Sequence, residues 1–304
     1  MNYSVIVVTF NRLDLLKTCL EQISCQTLPF AHIIVVDNCS TDGTAAFLSE
    51  YTRNRPDILS LKTENNIGGA GGFAFGAAQV PEDSDYVLFI DDDAILDVHF
   101  LEEIDKEMDP GVKAYTGSVY TEGQIHTSHR RRLTNRTLLT MQEVPAAEYA
   151  APFFMCDIGS FCGMLVACDL IRKIGLPVTE YFSQLDDVEY SLRVLPYTRI
   201  KNVNAAVIDH RANISAPQKL NWRAFYSYRN WIDVGEKYSS HPAVFLLYRR
   251  LFHVLGSLYY QFLGMVRHDA YYAACARLHK NAWRDGIQHR YGISQTYLPG
   301  APLP

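Results

Sequence analysis

The sequence predicts an α/β fold: a mostly parallel central sheet with helices on both faces, then a C-terminal helical region. Three observations carry this. Apolar, β-branched runs alternate with helical periods up to residue 210. Acidic residues stand where several of those runs end. After Pro217 the strand signals stop, and long aromatic-rich helical segments follow.

Taken in order, Ser4–Phe10 (SVIVVTF) is a continuous run, as in a strand buried on both faces. Leu13, Leu16, Leu20 and Ile23 then repeat with a helical period. Ile33–Val36 is a second strand ending at Asp37. Ser40–Gly43 is turn chemistry, and Thr44–Tyr51 reads as a helix. Leu59–Lys62 is a third strand. The glycine-rich Gly68–Gly76 is expected to lead into a short alanine-rich helix. Tyr86–Ile90 is a fourth strand that runs into Asp91-Asp92-Asp93. Lys113–Tyr120 and Gly159–Ala167 read as strands and Cys168–Ile174 as a helix. Gly123–Pro145, containing Arg130-Arg131-Arg132, reads as a long polar loop. Asp186-Asp187 opens a helix over Val188–Leu195, and Ala205–Ile208 is a last strand before Asp209-His210. A domain boundary is expected between residues 215 and 216.

The 304 residues are 48% hydrophobic and 20% charged, which suffices for a sizeable core and excludes a disordered or coiled-coil chain. A formal charge of −5 argues against nucleic-acid binding, which needs a basic footprint. The charge is uneven. From Ile214 onward eleven basic residues face four acids, a net +7, while the rest carries seventeen against twenty-nine, a net −12. Seven cysteines without a CxxC spacing favour neither a zinc knuckle nor a disulfide framework, and reduced thiols fit a cytoplasmic protein. No signal peptide precedes the first strand, and no apolar run reaches the roughly 18 residues of a spanning helix.

Ligands of open α/β sheets sit beyond the carboxyl ends of the strands, so Thr9–Arg12, Asp37-Asn38 and Asp91–Asp93 should converge on one crevice. Three consecutive carboxylates repel one another. A hard divalent cation, Mg²⁺ or Mn²⁺, removes the repulsion and also takes substrate phosphates; a solvated acidic turn is the plainer alternative. Asp37 suits a ribose hydroxyl or base N–H, or else caps the next helix. The glycines of Asn65–Gly72 allow a bulky ligand to approach the backbone. GxGxxG is missing after the first strand, which disfavours a nicotinamide dehydrogenase, and no P-loop is present. Asp186 and Asp187 fit a helix's first turn, and also a general base whose pKa its neighbour raises. His210, at a strand end, is a candidate metal ligand.

Together these residues resemble the inverting GT-A glycosyltransferases of family 2. The resemblance spans about residues 3–212 and rests on Val5–Arg12, Val35–Thr44, Asn66–Gly76, Phe89–Asp93, Leu185–Arg193 and Asp209-His210. The glycine motif and triple Asp look most like the bacterial galactofuranosyltransferases, and rhamnosyltransferases share much of the pattern. The resemblance implies a Rossmann-like nucleotide-sugar half over 1–93 and an acceptor half over 94–215, with 216–304 a helical extension. It places Thr9, Asn11 and Arg12 against the nucleotide, Asp37 on uracil or ribose, and Asn66, Gly68 and Gly69 along the cleft. It makes Asp91, Asp93 and His210 ligands of Mn²⁺ or Mg²⁺, with Asp92 near ribose or sugar. It makes Asp187, paired with Asp186, the base. Leu185 departs from the Trp that relatives often carry before this pair. The implied reaction is transfer of galactofuranose from UDP-galactofuranose to a glycan acceptor in cell-surface polysaccharide synthesis. The alternatives are rhamnose from dTDP-rhamnose and a non-catalytic nucleotide-sugar or glycan-binding module.

In the C-terminal region Val244, Tyr248, Leu251, Leu255, Leu258, Phe262 and Val266 share a helical face, whereas Arg249, Arg250, His253, Gln261 and Arg267 are polar. Such a helix over 244–267 either lies in a membrane interface or packs on the catalytic domain or another subunit of a homo-oligomer. A lipid-linked acceptor would place the chain at the inner face of the cytoplasmic membrane.

Overall fold

The computed structural model describes residues 1–211 and 219–304. The boundary expected at 215/216 lies outside the described residues. Four strands, β1 (Tyr3–Thr9), β2 (His32–Asp37), β3 (Ile58–Lys62) and β4 (Tyr86–Asp91), are joined by α1 (Leu13–Ser24), α2 (Thr44–Tyr51) and α3 (Gly68–Ala77). There follow β5 (Ala94–Leu96), α4 (Phe100–Lys106), β6 (Ala114–Thr121), β7 (Gln124–Ile125), β8 (Arg131–Asn135), β9 (Thr140–Glu143), β10 (Phe153–Cys156), β11 (Met164–Ala167), α5 (Cys168–Ile174), α6 (Asp186–Val194) and β12 (Ile200–His210). Three helices close the chain: α7 (Trp222–Tyr238), α8 (Pro242–Arg267) and α9 (Ala270–Ile287).

The central path of the sheet runs β10-β12-β6-β11-β4-β1-β2-β3, and β4-β1-β2-β3 is wholly parallel. β11 enters antiparallel between β4 and β6, and β12 pairs β6 in parallel. Alternate residues of β1 face opposite layers, as strand geometry requires. Val5 and Val7 pack with Leu16 and Leu20 of α1 and Phe100 and Ile104 of α4. Ile6 and Val8 pack with Phe73 of α3, Ile171 of α5 and Tyr190 of α6.

Contacts divide the described residues into two compact units, one of 1–132, 142–178 and 187–211, the other of 133–141, 179–186 and 219–304. The second has its own core, in which Phe182, Phe225, Tyr226, Leu278, Ala282 and Tyr297 are buried.

Several expectations are corrected. The span 123–145 is not one loop: it holds β7, a short 3-10 turn over Thr127–His129, and the β8–β9 hairpin. Its polar composition hides this, because β8 and β9 form a two-stranded ribbon with exposed faces. The glycine run does not lead into a helix; it is the helix α3. The strand expected over Gly159–Ala167 is confined to β11, and the last strand is longer than expected, Ile200–His210. On α8 the apolar face points to solvent, while Arg249 and His253 are buried. Among the described residues no helix is long and apolar enough to cross a membrane.

Candidate active site

Sheet register assembles the site. Thr9, the last residue of β1, pairs with Asp37, the last of β2, and Val8 pairs with Asp91, the last of β4. His210 ends β12 opposite Ala94, which follows the triple Asp directly. Residues far apart in sequence therefore meet at one edge of one sheet.

Thr9 Oγ1 donates to Asp92 Oδ2 at 2.7 Å. Arg12 Nη1 donates to Asp92 Oδ1 at 3.0 Å and to Asp93 Oδ2 at 2.6 Å. His210 Nε2 lies 3.4 Å from Asp93 Oδ1. Burial pushes the Asp92 carboxyl up to about 6, although Arg12 and Thr9 pull against it. Burial also acts upward on Asp93, but the hydrogen bond with His210 and the Arg12 charge outweigh it and hold this carboxyl below its ordinary value. Asp91 is half-buried beside them. Carboxylates with an imidazole whose Nε2 faces Asp93 form a donor set that fits a divalent ion.

At the end of β2, Asp37 Oδ1 accepts from Ser40 N at 2.8 Å, while Oδ2 is buried and bonded to nothing. Asn38, next along, donates through Nδ2 to the Gly68 carbonyl at 2.9 Å and accepts from Ile67 N at 2.9 Å. It ties the β2 end to the start of α3. Asn66 Oδ1 accepts from Gly68 N at 2.9 Å, and Gly68 takes a φ of +76°, where a side chain would be strained. A Cβ at Gly72 would come within 2.6 Å of Val8, and one at Gly76 within 2.6 Å of Ile6. Those two glycines let α3 press onto β1; they serve packing rather than ligand approach. Gly69 faces open space, with nothing within 4 Å of an added Cβ. Asn11 spends its side chain locally, accepting from Thr41 N at 2.7 Å.

Asp186 and Asp187 form the first turn of α6, both half-buried. Asp187 Oδ1 accepts from Val188 N at 2.7 Å. The surrounding protein desolvates this carboxyl and raises its pKa, against the lowering pull of Arg131, its backbone bond and Arg130. The buried thiol of Cys162 is pushed up chiefly by desolvation; Arg130 draws it down, and Asp91, Asp93 and Asp187 all push it further. One side chain therefore lies within electrostatic reach of both acid groups.

Three participants carry no clear local signature in the sequence: Arg130, His126 and His129. Asn38, expected at the crevice, spends its side chain on tying the β2 end to α3. Arg130 stands in a stretch of polar-loop composition, yet it is fully buried, donating to the carbonyls of Gly117 and Cys162 and to Asn202 Oδ1. No local pattern marks an arginine whose partners lie on distant strands. His126 and His129 gather beside His210, and only their short separation in sequence hinted at it.

Residues 4–167 match the model of glycosyl transferase family 2. The chain belongs to that family. Among curated relatives, the poly(ribitol-phosphate) β-glucosyltransferase of Bacillus spizizenii is 30% identical over 95 residues, 31% of this chain and 15% of that protein. Galactofuranosyltransferase GlfT1 of Mycobacterium tuberculosis is 29% identical over 199 residues, 62% of this chain and 63% of that one. The chain thus matches less than two thirds of the length of either relative. The solved structure of Staphylococcus aureus TarS 1–349 in complex with UDP-GlcNAc superposes with a TM-score of 0.57 at 17% identity, covering 99% of this chain and 98% of that one. GalNAc-T7, solved with UDP, GalNAc and Mn²⁺, gives 0.61 at 13% identity over 77% and 48%. The family 2 sheet with its strand-end acids is therefore the GT-A architecture, as the resemblance implied.

Proposed function

We propose that this family 2 chain is an inverting glycosyltransferase that moves a sugar from a nucleotide diphosphate donor to a glycan hydroxyl in cell-surface polysaccharide synthesis. One observation carries the reading: Thr9, Arg12, Asp37, Asp92, Asp93 and His210 meet at the carboxyl edge of one sheet, where Asp37 Oδ2 is buried with its hydrogen-bonding capacity unused. A nucleoside hydroxyl or base N–H would satisfy that oxygen. Residues 1–93 would hold the donor, with Asn11, Asn66, Gly68 and Gly69 along its cleft, and 94–215 would present the acceptor.

Asp91, Asp93 and His210 would hold Mn²⁺ or Mg²⁺, which when bound supplies positive charge for the diphosphate leaving group. Arg12, held by Asp92 and Asp93, adds a fixed cation at the same edge. Asp187 accepts the proton of the acceptor hydroxyl as that oxygen attacks the anomeric carbon; its raised pKa makes it a stronger base than a free carboxylate. A single base with no separate nucleophile gives inversion.

Galactofuranose from UDP-galactofuranose is the favoured sugar, supported by the similarity to GlfT1 over 199 residues. A second reading, glucosyl or N-acetylglucosaminyl transfer, is supported by 30% and 32% identity to poly(ribitol-phosphate) transferases over shorter spans. The test is a donor panel of UDP-galactofuranose, UDP-glucose, UDP-N-acetylglucosamine and dTDP-rhamnose with Mn²⁺, scored for nucleotide release. Turnover with UDP-galactofuranose alone supports the first reading, and turnover with a UDP-hexopyranose the second. Failure with every donor defeats both.

A further inference from the structure

Three imidazoles converge beside the acid cluster, and the reading above uses only one. His126 follows β7, His129 closes the 3-10 turn, and His210 ends β12. One nitrogen of each lies within 4.8 Å of the others. The rings are 4.7 Å apart for His126 and His129, 5.1 Å for His129 and His210, and 6.4 Å for His126 and His210.

The nitrogens divide into two sets. His126 Nδ1 is 3.1 Å from Thr121 Oγ1, His129 Nδ1 is 2.8 Å from Ser160 Oγ, and His210 Nε2 is 3.4 Å from Asp93 Oδ1. On the opposite edges, His129 Nε2 and His210 Nδ1 are buried with no hydrogen-bond partner. Metal-bound histidines show this arrangement: one nitrogen is held by an oxygen, which fixes the ring, and the other keeps its lone pair for the ion. The contacts that hold the His126 and His129 rings at Nδ1 are hydroxyls, and Glu143 acts on His126 electrostatically.

We propose that His126, His129 and His210 form a site for a zinc-class divalent ion, clipping the segment after β7 to the end of β12. Imidazole nitrogen suits Zn²⁺, Co²⁺ or Ni²⁺ and suits Mg²⁺ poorly, so this donor set selects a different ion from the Asp91/Asp93 carboxylates. Three protein ligands leave a further position of the ion open to water. The site shares His210 with the proposed donor centre but stands on His126 and His129, to which that centre gives no role.

The test uses the untagged full chain. Zn²⁺ titration by calorimetry and Co²⁺ titration by visible spectroscopy should show one equivalent bound, with an intense low-symmetry Co²⁺ band and a Zn²⁺-dependent rise in Tm. His126→Ala and His129→Gln should each weaken Zn²⁺ binding by more than about 10-fold, and Asp91→Asn should leave it in place. His126 is half-exposed, so its variant tests the site even if the more enclosed His129 variant folds poorly. Zn²⁺ binding that survives both histidine changes and is lost in Asp91→Asn assigns the ion to the carboxylates and overturns this proposal, while leaving the transferase reading intact. Absence of Zn²⁺ and Co²⁺ binding overturns it as well. Zn²⁺ bound through the histidines in a chain that turns over no nucleotide sugar would sink the transferase reading alone.

Discussion

Arg12 reaches across from the end of β1 to donate to Asp93 Oδ2 at 2.6 Å. The same Nη1 also serves Asp92, so one guanidinium neutralises two carboxylates that are 2% and 7% exposed. Arg12→Ala would leave both without their cation. Unsatisfied buried polar groups cost about 1–3 kcal/mol, and Arg12 itself is half-open to solvent, so a loss near the lower end is expected. Denaturant midpoints measure it, and UDP binding should weaken together with stability. Unchanged UDP affinity in a folded variant would remove Arg12 from the donor site.

The Asp92 carboxyl, raised by burial to about 6, gives stability a specific pH signature. Between its unfolded value near 3.9 and about 6, the folded chain holds a proton that the unfolded chain has released. Stability from this group therefore falls as pH rises through that window, by on the order of 3 kcal/mol. The buried histidines His129, His253 and His279, depressed by desolvation to about 2, 3 and 4, act the other way: they stay neutral in the fold, and stability rises with pH up to their unfolded value. The difference between wild type and Asp92→Asn isolates the carboxyl. Urea midpoints at pH 4.5 and 6.5 should show Asn gaining relative to Asp at the higher pH; parallel curves would contradict the raised value.

For Asp187→Asn, turnover should drop by about 10²–10⁴-fold, the usual contribution of a general base, with donor affinity retained. Because desolvation raises this carboxyl, the acid limb of the wild-type kcat profile should fall above the ordinary carboxylate range and vanish in the variant. Loss of donor affinity with turnover preserved would reassign Asp187 to binding.

The glycines of α3 separate packing from access. Gly72→Ala should destabilise by about 1–3 kcal/mol, the usual effect of overpacking, because its Cβ would meet Val8 on β1 at 2.6 Å. Gly69→Ala meets nothing and should leave Tm unchanged while weakening nucleotide-sugar binding. A Gly69 variant with full donor affinity would place the nucleotide elsewhere.

What the sequence revealed follows from how local each signal is. The β1, β2 and β4 runs and their terminal Asp37 and Asp91 were legible because a strand buried on both faces must be continuously apolar, and the acids interrupt it. Helix α3 was half-legible: glycine reads as loop, and close packing on β1 and β2 supports this glycine helix. Arg130 was illegible because its carbonyl partners belong to β6 and the segment before β11, which no spacing links to it. The polar face assigned to α8 failed at Arg249, whose guanidinium lies over the Phe252 ring, 4.7 Å from its centre, and within 6.0 Å of Trp231. Aromatic rings, not water, receive that charge.

The outward face of α8 leads to the last prediction. Leu247, Leu251, Leu255, Leu258, Phe262 and Met265 are each more than half exposed, and Phe245, Arg249, His253 and Ser257 form the buried stripe. The helix carries no acidic residue, and Arg250 and Arg267 are exposed on it. A contiguous apolar face with basic flanks is the pattern of a helix lying in an anionic membrane interface, and a lipid-linked acceptor would be presented there. Each exposed basic residue contributes about 1 kcal/mol near such a surface, and salt weakens it. The chain should therefore co-sediment with phosphatidylglycerol-containing liposomes at low salt and less at high salt. Arg250→Glu should reduce binding, and Leu255→Glu with Phe262→Glu should abolish it; all three positions are exposed, so the fold should survive, as circular dichroism would show. Arg249 is unsuitable for this test because it is buried. If instead the chain stays in the supernatant at every salt concentration and the Leu255/Phe262 variant changes a dimer into a monomer by light scattering, the face is a subunit interface and the membrane reading fails.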